Sequence, residues 1–327
     1  MTPRESFIAA LNHEEPSGRV PHFELEFFLT MEAFGRVHSS QRKFEQWAQM
    51  SERERALHRR DVADLHVAVA RRYEQAGMLY HSPFSGGETD SQVGWQEQDT
   101  RLSLEHVREL SGMDYLITLH GDATYSLPSG TDMMDFVMEL ADEPGKMKSD
   151  AQRSVDSALV RGEQIKTWGT VDGFCLCSDY CFNTNPFLSP AMFDEFVTPY
   201  LAQLVTGYRD MGFFVIKHTD GNIMPILDSL VSTHPHALHS IDPQAGVDLA
   251  EVKRLVGDTV CLIGNVNCAL LQTGTDDEVV QDVRRSLAQG MPGGGYVFGT
   301  SNCIYTGMSL DRYDLMLGVW REEGEYK

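Results

Sequence analysis

The stretch GFFVIKHTDGN, residues 212–222, is an apolar run that opens into His218, Asp220 and Gly221. An imidazole and a carboxylate two residues apart at the end of a buried strand supply half of a metal site or an acid/base pair. Similar polar tips follow other apolar runs: Glu24 and Glu26, His81, His120 with Asp122, Asp179 with Tyr180, Asp242, Asn265 with Asn267, and Cys303. So acidic a ring calls for a cation, and histidine, cysteine and carboxylate together suit zinc with one position open. The expected ligand set is His218 and Cys303 with one carboxylate from Asp220, Glu24 or Glu26. The competing readings are a hydrogen-bonded structural histidine and a cysteine that merely fills core.

Two other constellations carry less. Cys175, Cys177 and Cys181 form a C-x-C-x3-C cluster in which the first two face one side of a strand. Because both lie inside an apolar run, core packing is the expectation. The run Met291–Gly295 is rich in glycine but precedes a strand rather than opening a helix, so it reads as a turn, not a phosphate loop.

The elements that must position these residues alternate. Thr2 or Ser6 can cap a first helix with Phe7, Ile8 and Leu11 on one face. Strands are expected at 19–24, 78–81, 115–119, 173–177, 213–216, 237–242, 260–265 and 293–298. Between them, residues 40–76 read as a helix closed by Gly77, 85–99 as loop, and 132–161 as helix interrupted near Pro144. Pro190 falls in the first turn of a helix running towards Met211, and further helices are expected at 223–232 and 276–289. Strands alternating with helices imply parallel pairing and right-handed crossovers. Eight such units in one chain of this length predict an α/β fold, a single (β/α)8 TIM barrel spanning 1–327, with function at the carboxyl ends of the strands. A doubly wound open sheet is the alternative, but no G-x-G-x-x-G opens a helix.

Composition narrows the partners. Against 48 acidic residues stand 27 basic ones, a net charge of −21. That balance disfavours nucleic acid and anionic membrane surfaces as partners. No apolar run approaches the ~20 residues that span a bilayer. The acidic amino terminus lacks the apolar core of a signal peptide, and six cysteines in 327 residues do not make a disulfide framework. The expected setting is the cytoplasm, with thiols reduced.

Several blocks resemble the uroporphyrinogen decarboxylase superfamily: RESFIAALNHEEPSGRVP, SDYCFNTNPFLSPAMFDEFVTPYL, KHTDGNI, PQAGVDLAEVKRLVGDTVCLIGNVN and PGGGYVFGTSNCIYTGMSLDRY. The resemblance covers nearly the whole chain and implies a TIM barrel. Decarboxylases of that superfamily carry an arginine-rich segment after the first strand. Here that place reads FELEFFLT, with Glu24 and Glu26 and no arginine before Arg36. Carboxylates there repel a polycarboxylate substrate by roughly 1 kcal/mol per charge pair at ~4 Å even in water. The other branch is made of zinc-dependent methyltransferases that work with corrinoid proteins, with His-x-Cys on the fifth strand and a Cys after the eighth. By resemblance His218 matches the histidine and Cys303 the distant cysteine, while Asp220 replaces the middle cysteine. The implied activity is methyl transfer from a small methoxylated, aromatic substrate to the cobalt of a corrinoid (cobalamin) protein. Asp179, Tyr180 and His120 would orient substrate or supply a proton, and Asn265 and Asn267 are the candidates for cofactor binding. The alternatives are transfer from the corrinoid protein to a thiol or pterin, tetrapyrrole decarboxylation, and a non-catalytic corrinoid- or tetrapyrrole-binding protein. A homodimer is expected by analogy.

Overall fold

Short apolar strands alternating with helices can bury both faces of a sheet only if it curls and is wrapped by the helices. The computed structural model has this form, and describes residues 1–44, 46–84, 93–128 and 130–326. Among these residues seven strands pair in parallel in chain order: β1 (Gly77–Leu79), β2 (Leu116–His120), β3 (Gly173–Leu176), β4 (Phe214–His218), β5 (Ala237–His239), β6 (Cys261–Ile263) and β7 (Tyr296–Val297). The segment around His22 closes the ring, bridging Gln75 before β1 and Phe298 after β7. Its backbone bonds run from Ala76 N to His22 O (2.6 Å), Phe23 N to Phe298 O (2.9 Å) and Phe298 N to Pro21 O (2.8 Å). The expected first strand is thus present as the eighth stave, but only as single bridges. Pro21 has no N–H to offer, and the Glu24 side chain takes the Thr300 N–H at 3.1 Å.

The helices are α1 (Pro3–Leu11), α2 (Thr30–Phe34), α3 (Glu52–Arg72), α4 (Val93–Ser111), α5 (Met133–Asp142), α6 (Pro144–Lys166), α7 (Pro190–Phe196), α8 (Thr198–Asp210), α9 (Leu227–Ser232), α10 (Leu249–Val256), α11 (Cys268–Thr273), α12 (Asp276–Gly290) and α13 (Leu310–Glu323). Thr2 caps α1 in a reciprocal box with Glu5. Phe7, Ala10 and Leu11 of α1 join Phe23, Leu79, Leu116, Ile216, Ile263 and Val297 in the barrel interior. The floor of the barrel is therefore an apolar plug, and polar side chains are left to the opposite end.

The helix expected over 40–76 is shorter than the pattern suggested. Ser51 caps α3 by accepting from Glu54 N, and before it lie two 3-10 turns, Ser39–Gln41 and Trp47–Gln49, with Phe44 and Trp47 packed on Phe84. Gly77 does not end that helix: Tyr73 follows its last turn, and Gly77 starts β1, where a Cβ would stand 2.8 Å from the Phe7 ring and 2.9 Å from Leu116 O. Residues 85–92 of the expected loop lie outside the described residues, and the rest of it is already α4. Pro144 interrupts the 132–161 helix as expected, opening α6 at its first position. No helix among the described residues is long and apolar enough to cross a membrane.

Candidate functional site

Strand parity sets the mouth. On β4, Ile216 packs in the barrel interior, so His218 points the same way two residues on, while Lys217 points outward. Cys175 and Cys177 share the inward parity on β3 and its continuation; Cys181 packs instead in the layer between barrel and helices. Cys175 and Cys181 are buried in core packing, and Cys177 is half-buried against the same core.

His218 is buried, and its Nδ1 lies 2.7 Å from Nδ1 of His239 at the end of β5. Burial, with a further push from Lys217, lowers the His218 pKa to about 3, and burial pushes His239 well below its ordinary value. Both rings are therefore neutral, one donating to the other. The His218 Nε2 faces Asp179 and Asp220, each with a carboxylate oxygen 3.7 Å away. These three side chains place their donor atoms within 4.8 Å of one another.

The carboxylates are held from below. Asp179 Oδ1 accepts the Asp220 N–H at 3.0 Å. Ser240 Oγ donates to Asp220 Oδ1 at 2.8 Å, and Asn302 Nδ2 donates to Asp220 Oδ2. Ser240 and Ile241 sit at φ +95° and +47°, the left-handed region that β5 must enter to aim this hydroxyl. Gly221 (φ +83°) completes the turn, where a Cβ would lie 2.6 Å from Phe182 O. Burial, and then the neighbouring Asp179, raise the Asp220 carboxyl to about 7. Two carboxylates forced together beside a neutral imidazole with a free nitrogen fit a divalent cation.

Cys303 is tied to the same place through Asn302, whose Oδ1 accepts the Cys303 N–H at 2.7 Å while its Nδ2 holds Asp220. The segments 218–220 and 301–303, far apart in sequence, therefore meet. The Cys303 thiol stands in neither group of mutually close donors. Burial raises its pKa, and Glu26, Cys268, Asp220 and Glu24 raise it further, so it is a protonated thiol in the field of both acidic groups.

A second group forms on the neighbouring staves. Glu26 Oε1 lies 3.1 Å from His81 Nδ1 and 3.5 Å from His120 Nε2, and the two imidazoles meet edge-on at 5.3 Å. Burial acts to raise the Glu26 carboxyl, but hydrogen bonds from His120 and His81 outweigh it and bring the pKa to about 2.

Other expected site residues have different places. Glu24 is fully buried, with Oε1 3.0 Å from His22 Nε2 and Oε2 accepting from Thr300 N and Oγ1, so neither oxygen is left for a mouth ligand. Tyr180 is buried, its hydroxyl 2.5 Å from Thr124 Oγ1 and its ring 4.1 Å from Lys217 Nζ. Lys217 donates to Asp122 Oδ2 (2.8 Å) and Ser178 O (2.9 Å), so the pair locks the 178–180 turn from outside the barrel. Asn265 is buried, donating to Ile241 O and accepting from Arg285 Nη1, and the Asn267 side-chain oxygen caps α11. Both hold loops rather than face the mouth. Sequence reasoning missed His239, Ser240 and Asn302 as supports, although all three lie next to strand ends that it marked.

The fold is a URO-D-like TIM barrel. Residues 171–322 match the model of the uroporphyrinogen decarboxylase (URO-D) family, so the resemblance read from the sequence is borne out over that span, just under half of the chain, which carries β3–β7, His218 and Cys303. Among solved structures, a methyltransferase from Methanosarcina mazei superposes with a TM-score of 0.74 at 15% identity, over 98% of this chain and 99% of that one. A Sinorhizobium meliloti protein gives a TM-score of 0.43 at 11% identity, over 91% and 98%. No curated protein sequence matches. At 15% identity the likeness to the methyltransferase concerns the fold alone.

Proposed function

We propose that the protein is a zinc-dependent methyltransferase that moves a methyl group from a small methoxylated aromatic substrate to the cobalt of a separate corrinoid protein. The observation that carries this reading is the packing of Asp179 and Asp220 against the free nitrogen of a neutral, buried His218 at the mouth of a URO-D-like barrel. The overall likeness to a methyltransferase supports the reaction class.

His218 and Asp220 would hold the zinc with Asp179, and Cys303 is the neighbouring sulfur donor, its backbone N–H held by the same Asn302 that donates to Asp220. When bound, zinc supplies Lewis acidity to an ether oxygen that gains negative charge as the methyl leaves. The chain's own work is orientation. His239 fixes the His218 ring through the Nδ1–Nδ1 contact, so that Nε2 faces the carboxylates. Ser240 and Asn302 fix Asp220, and the Lys217–Asp122 pair fixes the turn that carries Asp179. Asp179, with its side chain 41% exposed, is the cluster member best placed to meet a substrate.

The test is incubation of zinc-loaded protein with cob(I)alamin and a panel of methoxylated arenes, following methylcobalamin by its absorbance. The expected result is methylation that stops in His218→Ala and Asp220→Ala. Decarboxylation of a tetrapyrrole by metal-free protein, with no methylcobalamin from any donor, would overturn the reading.

A further inference from the structure

The Glu26–His81–His120 group is not needed by the cluster around His218, and its chemistry is that of a metal site in its own right. Its three residues come from consecutive staves: Glu26 follows the closing segment, His81 lies two residues past β1, and His120 ends β2. Their donor atoms, one carboxylate oxygen and two imidazole nitrogens, all lie within 4.8 Å of one another. Glu26 Oε2 is a second, independent sign. It is buried and meets no hydrogen-bond partner among the described residues, on a side chain only 9% exposed. A buried carboxylate oxygen without a donor costs on the order of 1–3 kcal/mol, more when charged, and that cost is relieved by a cation. The His81 and His120 side chains are 31% and 42% exposed, so solvent or a ligand can reach the open side.

We propose that Glu26, His81 and His120 form a second cation site, distinct from the cluster of Asp179, His218 and Asp220. Two imidazoles and one carboxylate select a borderline divalent transition cation of the zinc or ferrous class over magnesium or calcium, which prefer all-oxygen shells. The exposed imidazole edges leave positions on the ion for water or a substrate oxygen. Bound there, the cation neutralises Glu26 and occupies the His120 nitrogen, so His120 does not serve as a proton donor in that state.

The experiment is metal titration of chelator-stripped full-length protein, with Zn(II) by calorimetry and Co(II) by its visible d–d absorption. Wild type should bind two equivalents. His81→Ala and Glu26→Gln should each lower the second site's affinity at least about tenfold, leaving the other equivalent intact. His218→Ala should do the reverse. Circular dichroism of each variant separates lost binding from lost folding, and Glu26→Gln, nearly isosteric, guards against misfolding of the alanine variant. Two equivalents in wild type, with one sensitive to Glu26 and His81 alone, support the site. One equivalent abolished by His218→Ala and untouched by His81→Ala and Glu26→Gln overturns it, while leaving the proposed function standing. One equivalent abolished by His81→Ala but not by His218→Ala supports this site and removes the metal from the proposed function.

Discussion

Replacing Asp220 by asparagine should make the metal-free protein more stable at neutral and alkaline pH, although it removes a hydrogen-bonded, partly buried side chain. The reason is the crowding of Asp220 by Asp179 in a buried setting. The folded carboxyl keeps its proton up to about pH 7, whereas the unfolded one releases it near 3.8. Between these values the folded state binds more protons than the unfolded state, so stability falls as pH rises. The contribution is fully present below about pH 4 and is lost as pH passes 7. The interval between the two values corresponds to roughly 4 kcal/mol at most. With the side chain 28% exposed, and with the proton shared electrostatically with Asp179, about 2 kcal/mol is the working figure. Asparagine keeps the contacts: its oxygen can accept from Asn302, and its amide can donate to Ser240 Oγ, whose single hydrogen then goes to Ser301 O, 2.6 Å away. Urea unfolding in excess chelator at pH 5 and pH 8 reads this directly. Wild type should lose stability between the two, and Asp220→Asn should lose much less and exceed wild type at pH 8. Zinc should reverse the order by stabilising wild type more. A wild-type stability that is flat from pH 5 to 8, or an asparagine variant weaker than wild type at pH 8 without metal, would refute the crowding on which the cation site is built.

Lys217→Met should destabilise the fold by about 3–5 kcal/mol, because it strands the buried Asp122 carboxylate without its partner; thermal unfolding at constant pH checks this, and Lys217→Met combined with Asp122→Leu should recover much of the loss. Glu26→Gln should cost about 2–3 kcal/mol at pH 7, since the depressed carboxyl contributes stability that is present above pH 4.5 and lost as pH falls through about 2. The gap from wild type should therefore narrow in urea titrations at pH 3. Cys303 in metal-free protein should react with iodoacetamide at pH 8 at least about tenfold more slowly than free cysteine, as its thiol is half-buried among acidic groups that keep it protonated. Peptide mapping of the alkylated cysteines measures it.

Which parts of this design can be read locally follows from the range of each interaction. The staves were legible because an apolar run ending in a polar tip needs only strand alternation and a plugged barrel floor, and those are nearest-neighbour properties. His218 and Asp220 were legible for the same reason, being two residues apart on one strand end. The division of the acidic ring was not. Glu24 and Glu26 also stand two residues apart, but Glu24 is claimed by His22 and by Thr300, which lies on the far side of the chain in sequence, while Glu26 meets two imidazoles from other staves. Sequence parity treats the two glutamates as equivalent; the closing stave, held only by single bridges, makes them different. Asn265, Asn267 and Tyr180 carry the same lesson, because a polar residue after a strand can face the mouth or tie the loop that shapes it. Asn302 does the second with consequence for the first. One side-chain amide joins the Cys303 backbone to the Asp220 carboxylate, and through that link the end of β4 and the segment after β7 share a site.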